Sequence, residues 1–146
     1  MGEITIMRNL FYTLILATAA FCVGCSGNVK LTGTVTYSDD GAPVESGTIC
    51  FVSGDTQGRG NIVDGKYEMS FGEKAGIPAG DYQVYFVGVE KVVRESEELP
   101  DGSVTDPVTA PAIDAKYLSA ATSGLTQKVD KSTKTADFQL DRNPEL

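Results

Sequence analysis

From Val29 onward the 146-residue chain alternates apolar and polar side chains with a period of two, broken by turn residues at short intervals, with no stretch of sustained helical spacing. A period of two puts alternate side chains on opposite faces of a strand and cannot give a helix one apolar face, so the pattern predicts an all-β domain. Val29, Leu31, Gly33, Val35 and Tyr37 alternate with Lys30, Thr32, Thr34 and Thr36, which reads as a half-buried strand with its threonine face toward water. Asp39-Asp40-Gly41 ends it. Gly47 to Val52 is a second strand, with Ile49 and Phe51 on one face and Cys50 and Val52 on the other.

Asp64-Gly65, between Asn61-Ile62-Val63 and Lys66-Tyr67-Glu68, is a hairpin signal, because a type I′ turn needs positive φ at both central residues. A two-residue turn pairs residues whose numbers total 129, so Ile62 faces Tyr67, Gly60 faces Met69 and Gly58 faces Phe71. Large side chains are then expected over glycines on the core face, with Arg59, Asn61 and Glu68 on the wetter one. Asp81 to Val89 is the most apolar strand and is expected to be central. It places Tyr82, Val84, Phe86 and Gly88 on one face and Gln83, Tyr85, Val87 and Val89 on the other. Residues 90–112 read as a long acidic loop, carrying Glu95, Glu97, Glu98, Asp101 and Asp106 with Pro100, Pro107 and Pro111, long enough to be a binding segment. Order returns in Ile113 to Tyr117, in Leu125 to Val129, and in a closing strand with Ala136, Phe138 and Leu140 inward.

Ahead of this pattern lie Arg8-Asn9, the apolar run Leu10 to Phe21, and Cys22-Val23-Gly24-Cys25-Ser26. A run that short, led by a basic residue and closed by small ones, reads as a cleaved secretory signal rather than a membrane span. Cys25 directly after Val23-Gly24 resembles the lipobox of bacterial lipoproteins, which implies that Cys25 is acylated and becomes the new N-terminus. Cys22 stands where Leu is usual, and bulky Phe21 makes Cys22 the poorer acceptor. Met7, immediately before Arg8, is the expected start. An ordinary secretory signal with a coincidental Cys is the competing reading. Several acyl chains, at roughly 0.8 kcal/mol per buried methylene, anchor such a protein to the bilayer.

Loss of residues 1–24 removes one Glu and one Arg, leaving the net charge at −8. The acidic balance argues against nucleic acid and against anionic membrane surfaces as partners. With Cys25 acylated, Cys50 is alone, so no disulfide framework is available, and with no His in the chain nothing activates its thiol.

Val29-Lys30-Leu31-Thr32-Gly33-Thr34-Val35, Gly41-Ala42-Pro43-Val44, Gly47-Thr48-Ile49-Cys50-Phe51, Gly65-Lys66-Tyr67 and Pro78-Ala79-Gly80-Asp81-Tyr82, in that order, resemble carboxypeptidase regulatory-like domains of the transthyretin (prealbumin-like) superfamily. Ile113-Asp114-Ala115-Lys116-Tyr117 and Thr122-Ser123-Gly124-Leu125-Thr126 resemble small envelope lipoproteins abundant in planctomycetes. The resemblance implies a seven-stranded Greek-key β-sandwich. The superfamily's hydroxyisourate hydrolases depend on histidines and a C-terminal Tyr-Arg-Gly-Ser, whereas this chain has no His and ends Asn-Pro-Glu-Leu. Relatives of the collagen-adhesin type form a Lys to Asn or Asp isopeptide bond; Lys30 and Asp137 superficially match, but both are out of phase with their strands' apolar residues and read as solvated charges. A Ca²⁺ site within Glu95 to Asp106 lacks the EF-hand spacing, and a solvated acidic loop is preferred.

The expected organisation is a signal peptide over 1–24, a lipidated N-terminus and tether over 25–28, a sandwich over 29–141 and a tail over 142–146. The expected function is that of a membrane-tethered, non-catalytic module of the cell envelope, with no cofactor beyond the covalent lipid at Cys25. The alternative is a lipoprotein that binds a glycan, peptide or small solute, for which Gln83, Tyr85, Arg59, Asn61 and Glu68 are the available polar and aromatic groups.

Overall fold

The structure is a computed structural model that describes residues 27–146; the signal segment, Met7, Cys22 and Cys25 lie outside the described residues. Eleven strands run β1 (Thr32–Tyr37), β2 (Ser46–Ser53), β3 (Thr56–Val63), β4 (Lys66–Glu68), β5 (Ser70–Phe71), β6 (Lys74–Ala75), β7 (Gly80–Val87), β8 (Glu90–Arg94), β9 (Val108–Pro111), β10 (Leu125–Val129) and β11 (Phe138–Leu140). A 3-10 turn (Ala115–Leu118) and a one-turn helix α1 (Ala120–Ser123) precede β10.

Seven strands follow one another in hydrogen-bonded order β10-β7-β2-β3-β4-β1-β11, and the sheet curls so that its two halves face each other. The protein is an all-β sandwich. Phe51 of β2 and Phe86 of β7 meet Phe138 of β11 across the layers, edge-on at centroid distances of 6.0 and 6.2 Å, a favoured aromatic geometry. Leu31, Val35, Ile49, Met69, Ile77, Val84, Ile113 and Leu140 complete a fully buried core. The first and last strands pair in parallel, Val35 beside Phe138 and Tyr37 beside Leu140. That pairing needs Gly33: a Cβ there would stand 1.8 Å from the Ala136 carbonyl oxygen. The buried Tyr67 hydroxyl donates to the same carbonyl at 2.5 Å. Burial, helped by the nearby Asp137 charge, pushes the Tyr67 hydroxyl well above its ordinary value.

The Asp64-Gly65 turn has φ of 50° and 76°, and Val63 pairs Lys66 and Arg59 pairs Ser70 in the expected register. Strand β7 lies inside the sheet between β10 and β2, as its composition predicts.

Three expectations are corrected. Phe71 is 37% exposed, and the space over Gly58 is filled by Ile77 and Met69, because the chain leaves β3 for the short β5–β6 hairpin before Phe71 can turn inward. Gly88 adopts φ 67°, which breaks the alternation so that Gly88 is exposed and Val89 is buried. The segment 90–112 is only partly a loop: Glu90 pairs Pro111 and Val92 pairs Thr109, making a two-stranded β8–β9 arm outside the main sheet, with the acidic stretch 95–107 as the loop at its tip. Its β-branched Val92, Val93, Val108 and Thr109 favour strands, a signal masked by the flanking prolines and acids.

The segment before β10 is fixed by polar contacts. Asp141 accepts from Lys116 Nζ at 2.6 Å, Ser38 Oγ at 2.6 Å and Tyr117 Oη at 3.1 Å. These bonds, that from Lys116 foremost, hold its carboxyl down at about 2. Buried Ser123 donates to the Val84 carbonyl at 2.5 Å. Among the described residues no buried side-chain nitrogen or oxygen lacks a partner.

Candidate functional site

Strands β3, β2 and β7 lie side by side, and their register decides which outward side chains become neighbours. Cys50 is flanked by Arg59 on one side and Tyr85 on the other, Val52 by Gln57 and Gln83, and Thr48 by Asn61 and Val87. Four of the expected recognition residues, Gln83, Tyr85, Arg59 and Asn61, therefore share one sheet face. Glu68, on β4 between β3 and β1, lies further along the same outer face: it lines a recess with Asn61 and stands opposite Thr32, 3.4 Å from Lys30.

The centre of this face is a row of Arg59, Cys50 and Tyr85. Gln57 Nε2 donates to the Tyr85 hydroxyl at 2.7 Å, a contact the sequence reading missed although Gln57 shares the phase of Arg59. Cys50 is only 1% exposed beneath these longer side chains. Burial pushes its thiol up, and the neighbouring Tyr85 hydroxyl and the charge of Arg59 oppose that only partly, so the sulfur is a neutral thiol near pH 7. Burial likewise raises the Tyr85 hydroxyl. Such a row offers an aromatic surface, a guanidinium and amides, which are groups for contact rather than for proton transfer.

A second site closes the far end of the sandwich. A cavity of about 520 Å³ lies between the β1–β2 turn, the root of β8 and the chain's end, with Tyr37, Pro43, Val92, Arg142 and Leu146 among its walls. The Arg142 guanidinium carbon sits 3.7 Å over the centroid of the Tyr37 ring. Its Nε and Nη2 donate to Asp39 and Asp40, each at 2.8 Å. Burial raises the Tyr37 hydroxyl, with Arg142 acting against it. Arg142 reads in sequence as the first residue of a tail; only the Asp39-Asp40 pair, taken as a turn, hinted at a cationic partner. Here it staples the last strand to the first turn, so its Nε and Nη2 already have partners.

The remaining sequence candidates are separated. Lys30 is paired with Glu68, while Asp137 accepts from the Thr34 amide at 2.8 Å and its hydroxyl at 2.9 Å, so an isopeptide pair is not assembled. At the arm's tip Asp101 accepts from the Ser103 amide at 2.9 Å and hydroxyl at 2.6 Å. Among the described residues no group of three or more acidic, Cys or His side chains is placed to hold a metal ion, and no helix is long and apolar enough to cross a membrane.

No family model and no curated protein matches the chain. Among solved structures it is similar to the major pilin subunit of Bacillus cereus, BcpA*(D312A), at 14% identity and a TM-score of 0.36, covering 80% of this chain and 30% of that one. It is also similar to a 9R-lipoxygenase from Cyanothece PCC8801 at 16% identity and a TM-score of 0.33, covering 92% of this chain and 20% of that one. The chain thus spans less than a third of either, and at these scores neither likeness bears on what it does.

Proposed function

We infer that the protein is a lipoprotein of the bacterial cell envelope, acylated at Cys25 and held on a membrane, whose β-sandwich is a non-catalytic structural or interaction module. The observation that carries the reading is the order of features at the start: a basic residue, a short apolar run, then Val23-Gly24-Cys25 only a few residues before the sandwich's first strand. The absence of His from the sequence and the buried, protonated Cys50 support a module without nucleophilic chemistry.

The test is intact mass spectrometry of the full chain expressed in a bacterial host with its own signal, beside a Cys25→Ala variant. The expected mass is that of residues 25–146 plus acyl chains, lost in the variant. An unacylated mature species would overturn the reading.

A second reading, capture of a glycan or peptide, is favoured by one observation: Tyr85, Arg59, Gln83 and Asn61 share a face. Its test is a Tyr85→Ala, Arg59→Ala double variant in a glycan and peptide binding screen, where an unchanged profile would dismiss the face.

A further inference from the structure

The charge of this chain is not spread evenly. Strands β1 and β7 both run from one end of the sandwich to the other. At their starts, Thr32 bridges Thr135 and Gly80 pairs Val129; past their ends lie Arg142 and the β8–β9 arm. At the first end a recess of about 570 Å³ is lined by Lys30, Lys131 and Lys134 together with Asn28 and Thr133, and by Gly27, where the described chain begins. All three lysines are exposed. Among the described residues Lys131 and Lys134 make no ion pair, and Lys30 has only the exposed contact with Glu68, a kind worth little. The nearest acid on this turn, Asp130, folds its carboxylate back onto the Ser132 and Thr133 amides at 2.8 and 3.1 Å. The arm at the opposite end carries six acidic and two basic side chains.

The net charge of −8 argues against an anionic surface as partner only if every charge is felt equally. An eight-residue strand such as β7 spans roughly 26 Å, about three times the screening length of ~8 Å at physiological ionic strength. The arm's charge is therefore largely screened from the lysine end. Cys25 lies two residues before Gly27, a reach of at most about 7 Å, so an acyl anchor on it would hold the recess within one screening length of the lipid headgroups.

We propose that the recess formed by Lys30, Lys131 and Lys134 is a docking surface for anionic lipid headgroups, seating the sandwich on the bilayer with the β8–β9 arm aimed away. The seating rests on the lipoprotein reading above; the lysine surface itself does not. A lysine near an anionic leaflet strengthens attachment about fivefold, so the three together are of order a hundredfold.

The experiment uses the full chain matured in a bacterial host, with its mass measured first. If it is acylated, it is reconstituted in vesicles of phosphatidylcholine with or without phosphatidylglycerol and treated with a limiting amine-reactive label. The expected result is about fivefold less labelling of Lys30, Lys131 and Lys134 on the anionic vesicles, with Lys66 and Lys91 unchanged and the protection abolished by high salt. Equal labelling on both vesicles overturns the docking surface and leaves the tether standing. If the mass shows no acyl chain, the tether fails, and the released protein is floated with the same vesicles. Retention on anionic vesicles that is lost in the Lys30→Gln, Lys131→Gln, Lys134→Gln variant, its melting unchanged, upholds the surface alone; no retention overturns both.

Discussion

The sandwich and the β8–β9 arm both build strands with β-branched apolar residues, and only those of the sandwich core are buried. In β2 and β7 the residues Ile49, Phe51, Val84 and Phe86 are shut away from solvent, whereas every residue of β8 is exposed. The difference lies in phase. Tyr82, Val84 and Phe86 recur every second position and place their bulk on one side, but Val92 and Val93 are adjacent and the pairing slips between Val92 and Arg94, so β8 builds no row of alternate apolar side chains. Neither side of the arm gathers enough apolar area to fold back on the body, and a lone two-stranded ribbon is marginal in water. Apolar content is thus a poor guide to burial; its spacing decides.

This contrast is sharpest where the core is most crowded. Phe51→Ala removes the ring that meets both Tyr82 and Phe138 and is expected to cost about 3–5 kcal/mol, read as a drop in the denaturant midpoint. Gly33→Ala drives a methyl into the Ala136 carbonyl, backbone that cannot swing aside. A loss of about 3 kcal/mol is expected, and unchanged stability would show that β1 and β11 are not held as described.

Tyr67→Phe leaves that carbonyl without its hydroxyl partner and should cost about 1–3 kcal/mol. The same tyrosine gives a pH signature. Its hydroxyl is raised above the ordinary 10.0, so its contribution is full below pH 10 and falls as the pH rises further, when the unfolded chain ionises first. Alkaline melts should lose stability above pH 10 more steeply in the wild type than in Tyr67→Phe. The smallest effect belongs to the arm: Val92→Ser with Val104→Ser, both exposed, should move stability by no more than about 0.5 kcal/mol. A larger loss would mean that the arm packs on the body after all.

Local chemistry was the legible part of the sequence. Asp64-Gly65 announces its turn because few other pairs tolerate positive φ twice, and the turn carries the register down to Arg59 and Ser70. The alternation in β7 placed Gln83 and Tyr85 on a shared face, but which residue of β2 lies between Tyr85 and Arg59 depends on strand pairing, and Cys50 could not be put there from spacing alone. One residue in the left-handed region, Gly88, was enough to reverse the assignment of Val89. The lysine recess was invisible for a similar reason. Lys30 lies some hundred residues from Lys131 and Lys134 in sequence, and only the return of the chain past Thr32 brings them to one end.

The parallel pairing of β1 with β11, beside the antiparallel pairing of β1 with β4, has a mechanical consequence. A pull entering from residue 27 runs lengthwise along β1, and the strand is gripped on both flanks. Its bonds must then be sheared together instead of opened one after another, while the unsupported arm can bend without disturbing them. The doubly paired strand begins at the end where the molecule would be attached, and the ribbon paired only to itself lies at the end that would reach outward.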